Sequence, residues 1–266
     1  MIDENTQPSA HGQPSQPGPS IIDSLCTPVV DAPADATGRL AEGQVAAGLE
    51  GGVERAAAVL KPRMRGWLHA GVFPLSLVGG IALIAVSRSA AAVVASSVYA
   101  VSACLLFGTS AVYHRGRWGP RGEAVLRRLD HANIFLIIAG TYTPLAVLLL
   151  PAGRQRVLLA VVWAGALAGI AFRILWIGAP RWLYTPCYIA LGWVAVFNLP
   201  DFARTGGTAV VVLVIAGGLL YTAGAVVYGL KRPDPAPAWF GFHEVFHALT
   251  IAAFTAHYTA ILLAAT

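Results

Sequence analysis

The feature of this 266-residue sequence that most limits its fold is a series of long apolar runs. Runs of roughly 20 apolar residues follow one another from Trp67 onward, and an α-helix of that length spans the hydrocarbon layer of a membrane. Hydrophobic residues make up 56% of the chain and charged residues 12%, with a mean hydropathy of +0.65. Because a soluble domain carries about 25% charged residues, the sequence predicts an all-α membrane protein.

The apolar runs divide into seven predicted spans, so we expect a seven-transmembrane helix bundle. Their predicted bounds are 67–87, 90–113, 131–150, 157–177, 182–199, 208–230 and 242–265. Most connections between them are short, which predicts that consecutive helices are antiparallel neighbours.

Lysine and arginine in the connections predict the orientation, since these residues concentrate in cytoplasmic loops. Twelve of them fall on the side that holds the start of the first span, and four fall on the other side. We therefore expect a cytoplasmic N-terminus and a C-terminus outside, in the inner or plasma membrane. The formal net charge of +5 then belongs to membrane loops, and we expect no nucleic-acid partner.

The first 58 residues differ from the rest in composition. They are rich in Pro, Ser, Gly and Ala, and residues 1–55 hold eight acidic residues against two arginines. Such a segment buries too little apolar surface to offset its chain entropy. We expect residues 1–58 to be a disordered cytoplasmic tail and residues 59–266 to form the membrane domain.

Rare polar residues fall at one predicted membrane depth. The seventh span begins with His243-Glu244-Val245-Phe246-His247, in which the two histidines share a helix face. His114 ends the second span, and Asp130 precedes the third, on the same side. Ser110 lies one turn from His114 on the same face. Polar groups at membrane depth are expensive, so their convergence predicts a functional site.

Three imidazoles with one open position are the ligand set of a catalytic zinc site. The alternative is that His114, His243 and His247 are interfacial histidines that hydrogen-bond to their neighbours. The H-E-x-x-H string also occurs in soluble zinc proteases, where the Glu is the general base. No acidic residue follows Glu244, which disfavours a protease, since such sites take further acidic ligands downstream.

We interpret the other histidines of the spans as structural residues. His131 is turned ~100° from Asp130 on its helix, so we expect it to pack or hydrogen-bond against a neighbouring helix. His257 lies ~15 Å along the helix from His247, and we expect an interhelical hydrogen bond. His69, at the start of the first span, is interpreted as interfacial.

The ordered motifs resemble the signature of the hemolysin III family, which is grouped with the progestin and adipoQ receptors and, more remotely, the alkaline ceramidases. The matching residues are Ser110-x-x-Tyr113-His114, Leu129-Asp130-His131, Ala139-Gly140-Thr141-Tyr142-Thr143-Pro144 and His243-Glu244-x-Phe246-His247. The resemblance implies a seven-helix bundle with an intramembrane zinc ion. It implies His114, His243 and His247 as zinc ligands, Asp130 as the residue that holds the zinc-bound water, and Ser110 as a residue that lines the site.

Two classes of function remain open at this stage. In one, the protein is a zinc-dependent hydrolase of lipid amide or acyl bonds, with membrane lipids as its substrates and Asp130 and Ser110 as catalytic residues. In the other, the zinc is structural, and the protein is a receptor, a transporter or a cytolytic pore.

Overall fold

A computed structural model describes residues 62–176 and 178–266. Its elements are the helices α1 (Trp67–Val86), α2 (Ala90–Arg115), α3 (Pro120–Leu149), α4 (Ala152–Leu175), α5 (Arg181–Gly192), a 3-10 helix (Trp193–Asn198), α6 (Leu199–Leu230) and α7 (Phe242–Ala265). In the described ranges the only β-type pairing is one isolated bridge between Ala236 and Phe240. The predicted disordered tail, residues 1–58, lies outside the described residues.

The described part of the chain contains six helical stretches that are long and apolar enough to cross a membrane. The prediction of an all-α membrane protein is therefore confirmed. One stretch, Arg181–Leu230, is 50 residues long and contains the predicted fifth and sixth spans. It is interrupted by the 3-10 helix and by Gly207, which has non-helical backbone angles (φ 79°, ψ 175°).

Helix α3 begins earlier than predicted. It starts at Pro120, eleven residues before the predicted start of the third span, with proline in the first turn where its missing N–H is no loss. Asp130 therefore lies inside the helix and not before its first turn, as the predicted bounds of the third span had placed it. Hydropathy did not predict these first turns of α3, because the charged segment 121–128 has the hydropathy of a loop.

Consecutive helices pack as neighbours, with α1 on α2, α2 on α3 and α3 on α4, and α7 packs on α6, α1 and α3. Large aromatic side chains fill the interior, among them the buried Tyr99, Phe107 and Phe135. Large apolar side chains such as Leu75 and Phe197 are exposed on the outer surface. This distribution suits a bundle whose outer faces contact lipid and whose polar groups face inward.

The break between α5 and the 3-10 helix is held by a tyrosine of α3. The hydroxyl of Tyr142 donates to the carbonyl of Gly192 and accepts from the backbone N–H of Ala195, both at 2.6 Å. These bonds satisfy backbone groups that a helix end would otherwise leave unpaired in the membrane interior. One buried side chain thus fixes where α5 ends.

Candidate metal site

Three histidine side chains from two helices meet at one end of the bundle. His114 lies in the last turn of α2, and His243 and His247 lie in the first two turns of α7. The Nε2 atoms of His114 and His243 are 3.1 Å apart, and one ligand atom from each of the three histidines lies within 4.8 Å of the others. This group, the histidine cluster, could hold a metal ion.

Asp130 and Ser110 lie beside the histidine cluster. The Oδ2 atom of Asp130 is 3.8 Å from Nε2 of His114. The hydroxyl of Ser110 is buried next to Asp130 and makes no hydrogen bond of ordinary geometry within the described residues. The structure thus brings all five predicted site residues together, and their roles stay predictions.

Glu244 has a structural partner in the segment before α1. Its carboxylate accepts a hydrogen bond from Nε of Arg65 at 2.6 Å and another from the backbone N–H of Gly241 at 2.9 Å. The second bond belongs to a capping box at the start of α7, in which the third helical residue caps the backbone. Because the carboxylate is fully buried and occupied by these donors, it is not placed as the general base of a protease.

The chain before α1 is anchored against the turn that precedes α7 and against the end of α2. The backbone N–H groups of Arg63 and Met64 donate to the carbonyls of Ala238 and Trp239 at 3.0 and 3.1 Å. Gly66 follows with a left-handed backbone (φ 80°), and a Cβ at this residue would lie 2.7 Å from Cβ of His114. Glycine is therefore required both for the turn and for the close approach to His114.

His69, which the sequence analysis interprets as interfacial, packs against a histidine of the cluster. Its side chain is buried, and its ring stacks on that of His247 with centroids 3.8 Å apart and an interplanar angle of 15°. Neither ring nitrogen of His69 has a hydrogen-bond partner among the described residues. The sequence gives little signal for this contact, since it depends on how α1 and α7 pack against each other.

The structural interpretations of two other histidines are confirmed. The ring of His131 contacts the carbonyl of Arg127 at 2.7 Å and the hydroxyl of Tyr228 at 3.1 Å, so it bridges α3 and α6. Nε2 of His257 lies 3.1 Å from the carbonyl of Val214, which joins α7 to α6. Neither residue belongs to the histidine cluster.

A polar cavity of about 400 Å³ opens beside the cluster. It is lined by Arg65, Tyr113, His114, Arg127, Asp130, His131, Arg173, Ala179, Pro180, Arg181, Tyr184, Tyr228, Phe242 and His243. Arg173 is a lining residue that the sequence analysis does not single out, although it lies within the predicted fourth span. An arginine in an apolar run is itself the signal that could have drawn attention to it.

The fold and the site define a class of protein: an all-helical membrane protein with a histidine cluster at one end of its bundle. The family model described as Haemolysin-III related matches residues 57–258. The chain is 38% identical over 141 residues to Hemolysin-3 of Bacillus cereus, which covers 53% of this chain and 64% of that protein. It is 32% identical over 152 residues to the Hemolysin-3 homolog of Bacillus subtilis (strain 168), which covers 56% and 70%.

The chain therefore belongs to the Haemolysin-III related family. The family model covers the membrane domain from just before α1 into α7, so it includes the histidine cluster and Asp130. The match to the Bacillus cereus protein covers slightly less than two thirds of that protein's length.

Proposed function

We propose that the protein is a zinc-dependent membrane hydrolase that cleaves amide or other acyl bonds of lipids. The observation that carries this proposal is the position of Asp130, whose carboxylate lies 3.8 Å from Nε2 of His114 at the wall of the polar cavity. A carboxylate beside a three-nitrogen donor set, with open space in front of both, is the arrangement that metal-assisted hydrolysis requires.

The donor set fits zinc. Zn–N bonds of about 2.0–2.1 Å in a tetrahedral site place donor atoms about 3.3 Å apart. The Nε2 atoms of His114 and His243 are already 3.1 Å apart, and the full set lies within 4.8 Å, so small side-chain rotations would complete the geometry. His114, His243 and His247 would hold the ion, which when bound would polarise the scissile carbonyl and lower the pKa of a neighbouring water toward ~7.

Asp130 is suited to accept the proton of the attacking water. Among the described residues, His114 is the only side chain at ion-pair distance from this carboxylate, so no arginine or lysine occupies it. The proton taken from the water would pass to the leaving amine as the acyl bond breaks. The hydroxyl of Ser110 lies next to the carboxylate and can donate to it and hold its orientation.

An apolar cavity offers room for part of an acyl chain. It has a volume of about 100 Å³ and lies between α3, α5 and α6, with Ile137, Leu145 and Val214 among its lining residues. Tyr188 belongs to the lining of this cavity, while its hydroxyl donates to the carbonyl of His131 on the wall of the polar cavity. A lipid could thus place its polar group near Asp130 and its chain among the helices.

The same proposal includes a topology of seven crossings, with the N-terminus in the cytoplasm, the C-terminus outside and the protein in the inner or plasma membrane. The lining of the polar cavity supports it, since it draws on the start of α3, α5 and α7 and the end of α2, α4 and α6. Seven antiparallel crossings produce this alternation. At 1.5 Å per residue, the 50 residues of Arg181–Leu230 would span ~75 Å, enough to cross a ~30 Å hydrocarbon layer twice.

A second candidate function is non-enzymatic. The donors of the histidine cluster come from α2 and α7, so an ion bound there would tie two helices that are distant in the chain. In that case the zinc would be structural, and the protein would be a receptor, a transporter or a cytolytic pore. The name Hemolysin-3 of the Bacillus cereus relative refers to lysis and belongs with this candidate.

The two candidates make different predictions for Asp130→Asn, because only the hydrolase needs Asp130 as a general base. The substitution keeps the shape of the side chain and leaves all three histidines in place, so zinc content should not change. Removal of a general base should lower turnover of a lipid amide by about 10²–10⁴-fold. The measurement is zinc content together with hydrolysis of ceramides and other acyl amides by the purified full-length protein.

The control is Asp234→Asn, which removes an acidic charge from the loop before α7. Asp234 accepts a hydrogen bond from the backbone N–H of Phe242 at 2.9 Å, a role that Asn can also fill, so turnover should be unchanged. A wild-type protein that binds zinc and hydrolyses none of these lipids would contradict the hydrolase. An Asp130→Asn variant as active as the wild type would contradict the role of Asp130.

A further inference from the structure

Arginines dominate the charge around the polar cavity. Four of them line it, and the acidic residue among the lining residues is Asp130. The charge of Arg65 is matched by Glu244, which bonds to it directly. Three arginines, Arg127, Arg173 and Arg181, therefore face the cavity against a single carboxylate.

Arg173 is buried, and no acidic side chain among the described residues forms an ion pair with it. Its side chain is 3% exposed in the last turn of α4, and its Nε and Nη1 atoms have no hydrogen-bond partner among the described residues. Its guanidinium carbon lies 4.2 Å from the ring centroid of Tyr184, which gives one face of the group a cation–π contact. A buried charge without a partner is costly, so an acceptor from outside the chain would complete this site.

Arg127 and Arg181 line the same cavity as Arg173 and His131. Arg181 is held in place, since its Nη1 donates to the carbonyl of Tyr228 at 3.2 Å and its guanidinium lies 4.5 Å from the centroid of that ring. The planar N–H fork of arginine matches the geometry of phosphate oxygens.

We propose that Arg127, Arg173 and Arg181 form a binding site for a phosphate group beside the histidine cluster. We call these three residues the arginine wall. The cavity of about 400 Å³ lies within the usual size range of ligand pockets, so it admits either free phosphate or the phosphate head group of a lipid. As a statement about binding the inference stands alone; as a statement about the substrate, a lipid with a phosphate head group, it rests on the proposed hydrolase.

The experiment measures binding rather than turnover, so it fails or succeeds independently of the hydrolase. The full-length protein is purified in a maltoside detergent, which carries no phosphate. Inorganic phosphate, dioctanoyl phosphatidic acid and dioctanoylglycerol are titrated by calorimetry. Phosphatidic acid should bind and dioctanoylglycerol should bind far more weakly; binding of inorganic phosphate at similar strength would identify the soluble anion as the ligand, with the same chemistry.

Variants of the arginine wall test whether these residues bind the phosphate group. Arg173→Gln should weaken phosphate binding by about tenfold to a hundredfold, as expected for loss of hydrogen bonds to a charged group. Arg127→Gln, at an exposed residue whose loss should not affect folding, should weaken it in the same direction. Arg121→Gln removes the same charge from an exposed residue of the same helix that does not line the cavity, and should change binding less than about twofold.

Three results would overturn the proposal. One is a wild-type protein that binds neither phosphate nor phosphatidic acid. Another is an equal effect of Arg121→Gln, Arg127→Gln and Arg173→Gln, which would reflect overall charge alone. The third is binding that is abolished by a zinc chelator and unchanged by Arg127→Gln and Arg173→Gln, which would place the phosphate on the metal instead.

Discussion

At the residue scale, the arrangement depends on the i, i+4 spacing of His243 and His247. This spacing puts both rings on one face of α7, and packing of α7 near the end of α2 adds His114 from elsewhere in the chain. Fixed neighbours surround the cluster, since Glu244 bonds to Arg65 and His69 stacks on His247. The ligand set is thus held on helices whose ends are themselves tied down, which limits rearrangement when a ligand binds or leaves.

Replacement of His243 and His247 by Ala should remove the metal. The wild-type protein is expected to contain one zinc ion per chain, and the double variant should contain almost none, because one imidazole cannot form a stable site. Elemental analysis of the purified protein after dialysis provides the measurement.

The matched control for this pair is His257→Ala, a histidine of the same helix that bonds to the Val214 carbonyl of α6. It should lose stability while keeping its zinc. If the double variant retains stoichiometric zinc, or if His257→Ala loses it, the histidine cluster is not the metal site.

The sequence predicted the members of this cluster but not its surroundings. The three histidines, and Asp130 beside them, could be placed at one depth, because span ends are visible in hydropathy. The stacking of His69 on His247 and the bond between Arg65 and Glu244 depend on how helices distant in sequence rotate against each other. A hydropathy pattern contains no information on that rotation, so these contacts appear only in the folded chain.

At the scale of the elements, the packing of α6 against α7 depends on small residues. A Cβ on Gly217 would lie 2.4 Å from Nε2 and Cδ2 of the His257 ring. The missing side chain lets this ring lie against α6 and reach the carbonyl of Val214. Small residues at helix contacts are how membrane helices approach closely.

Gly217→Ala should therefore destabilise the bundle. Overpacking of a close contact costs about 1–3 kcal/mol, which corresponds to a Tm decrease of roughly 2–10 °C for a domain of this size. Thermal unfolding in detergent, followed by circular dichroism, gives the measurement. Gly71→Ala is the matched control: no heavy atom lies within 4 Å of its added Cβ, and Ala is favoured over Gly in a helix, so Tm should stay or rise. Equal Tm values for the two variants would show that the α6–α7 contact accommodates a methyl group.

Helix ends were the least predictable part of the elements. The start of α7 was predicted at the correct residue, because Gly241 and the Pro-rich turn before it mark a boundary. The start of α3 was not, since the charged segment before Asp130 is helical although its hydropathy is that of a loop. The end of α5 at Gly192 depends on the hydroxyl of Tyr142 from another helix, which local sequence cannot reveal.

At the scale of the whole molecule, hydropathy and charge determine two different properties, membrane insertion and orientation. Hydropathy determines which segments enter the membrane, and the distribution of lysine and arginine determines their direction. The polar cavity lies at the end of the bundle that holds most of these residues, with Arg65, Arg127 and Arg181 in its lining. Orientation and site are therefore linked, since the same charges that we expect to face the cytoplasm would also attract anionic ligands to the cavity.

The topology can be tested at three points of the chain. A phosphatase reporter that is active only outside the cytoplasm should be inactive when fused before Met1 and active when fused after Thr266. It should also be inactive when fused at Pro235, in the turn between α6 and α7. These results follow from the twelve lysines and arginines on one side of the predicted spans against four on the other.

The fusions after Pro235 and Thr266 also decide how often Arg181–Leu230 crosses the membrane. Two crossings return the chain to the cytoplasm before α7 and place Thr266 outside. A single crossing would reverse both results, with an active reporter at Pro235 and an inactive one at Thr266. That outcome would put the start of α7 outside and the start of α3 inside, so His243 and Asp130 would lie on opposite sides of the membrane. Because these residues line the same cavity, we expect two crossings.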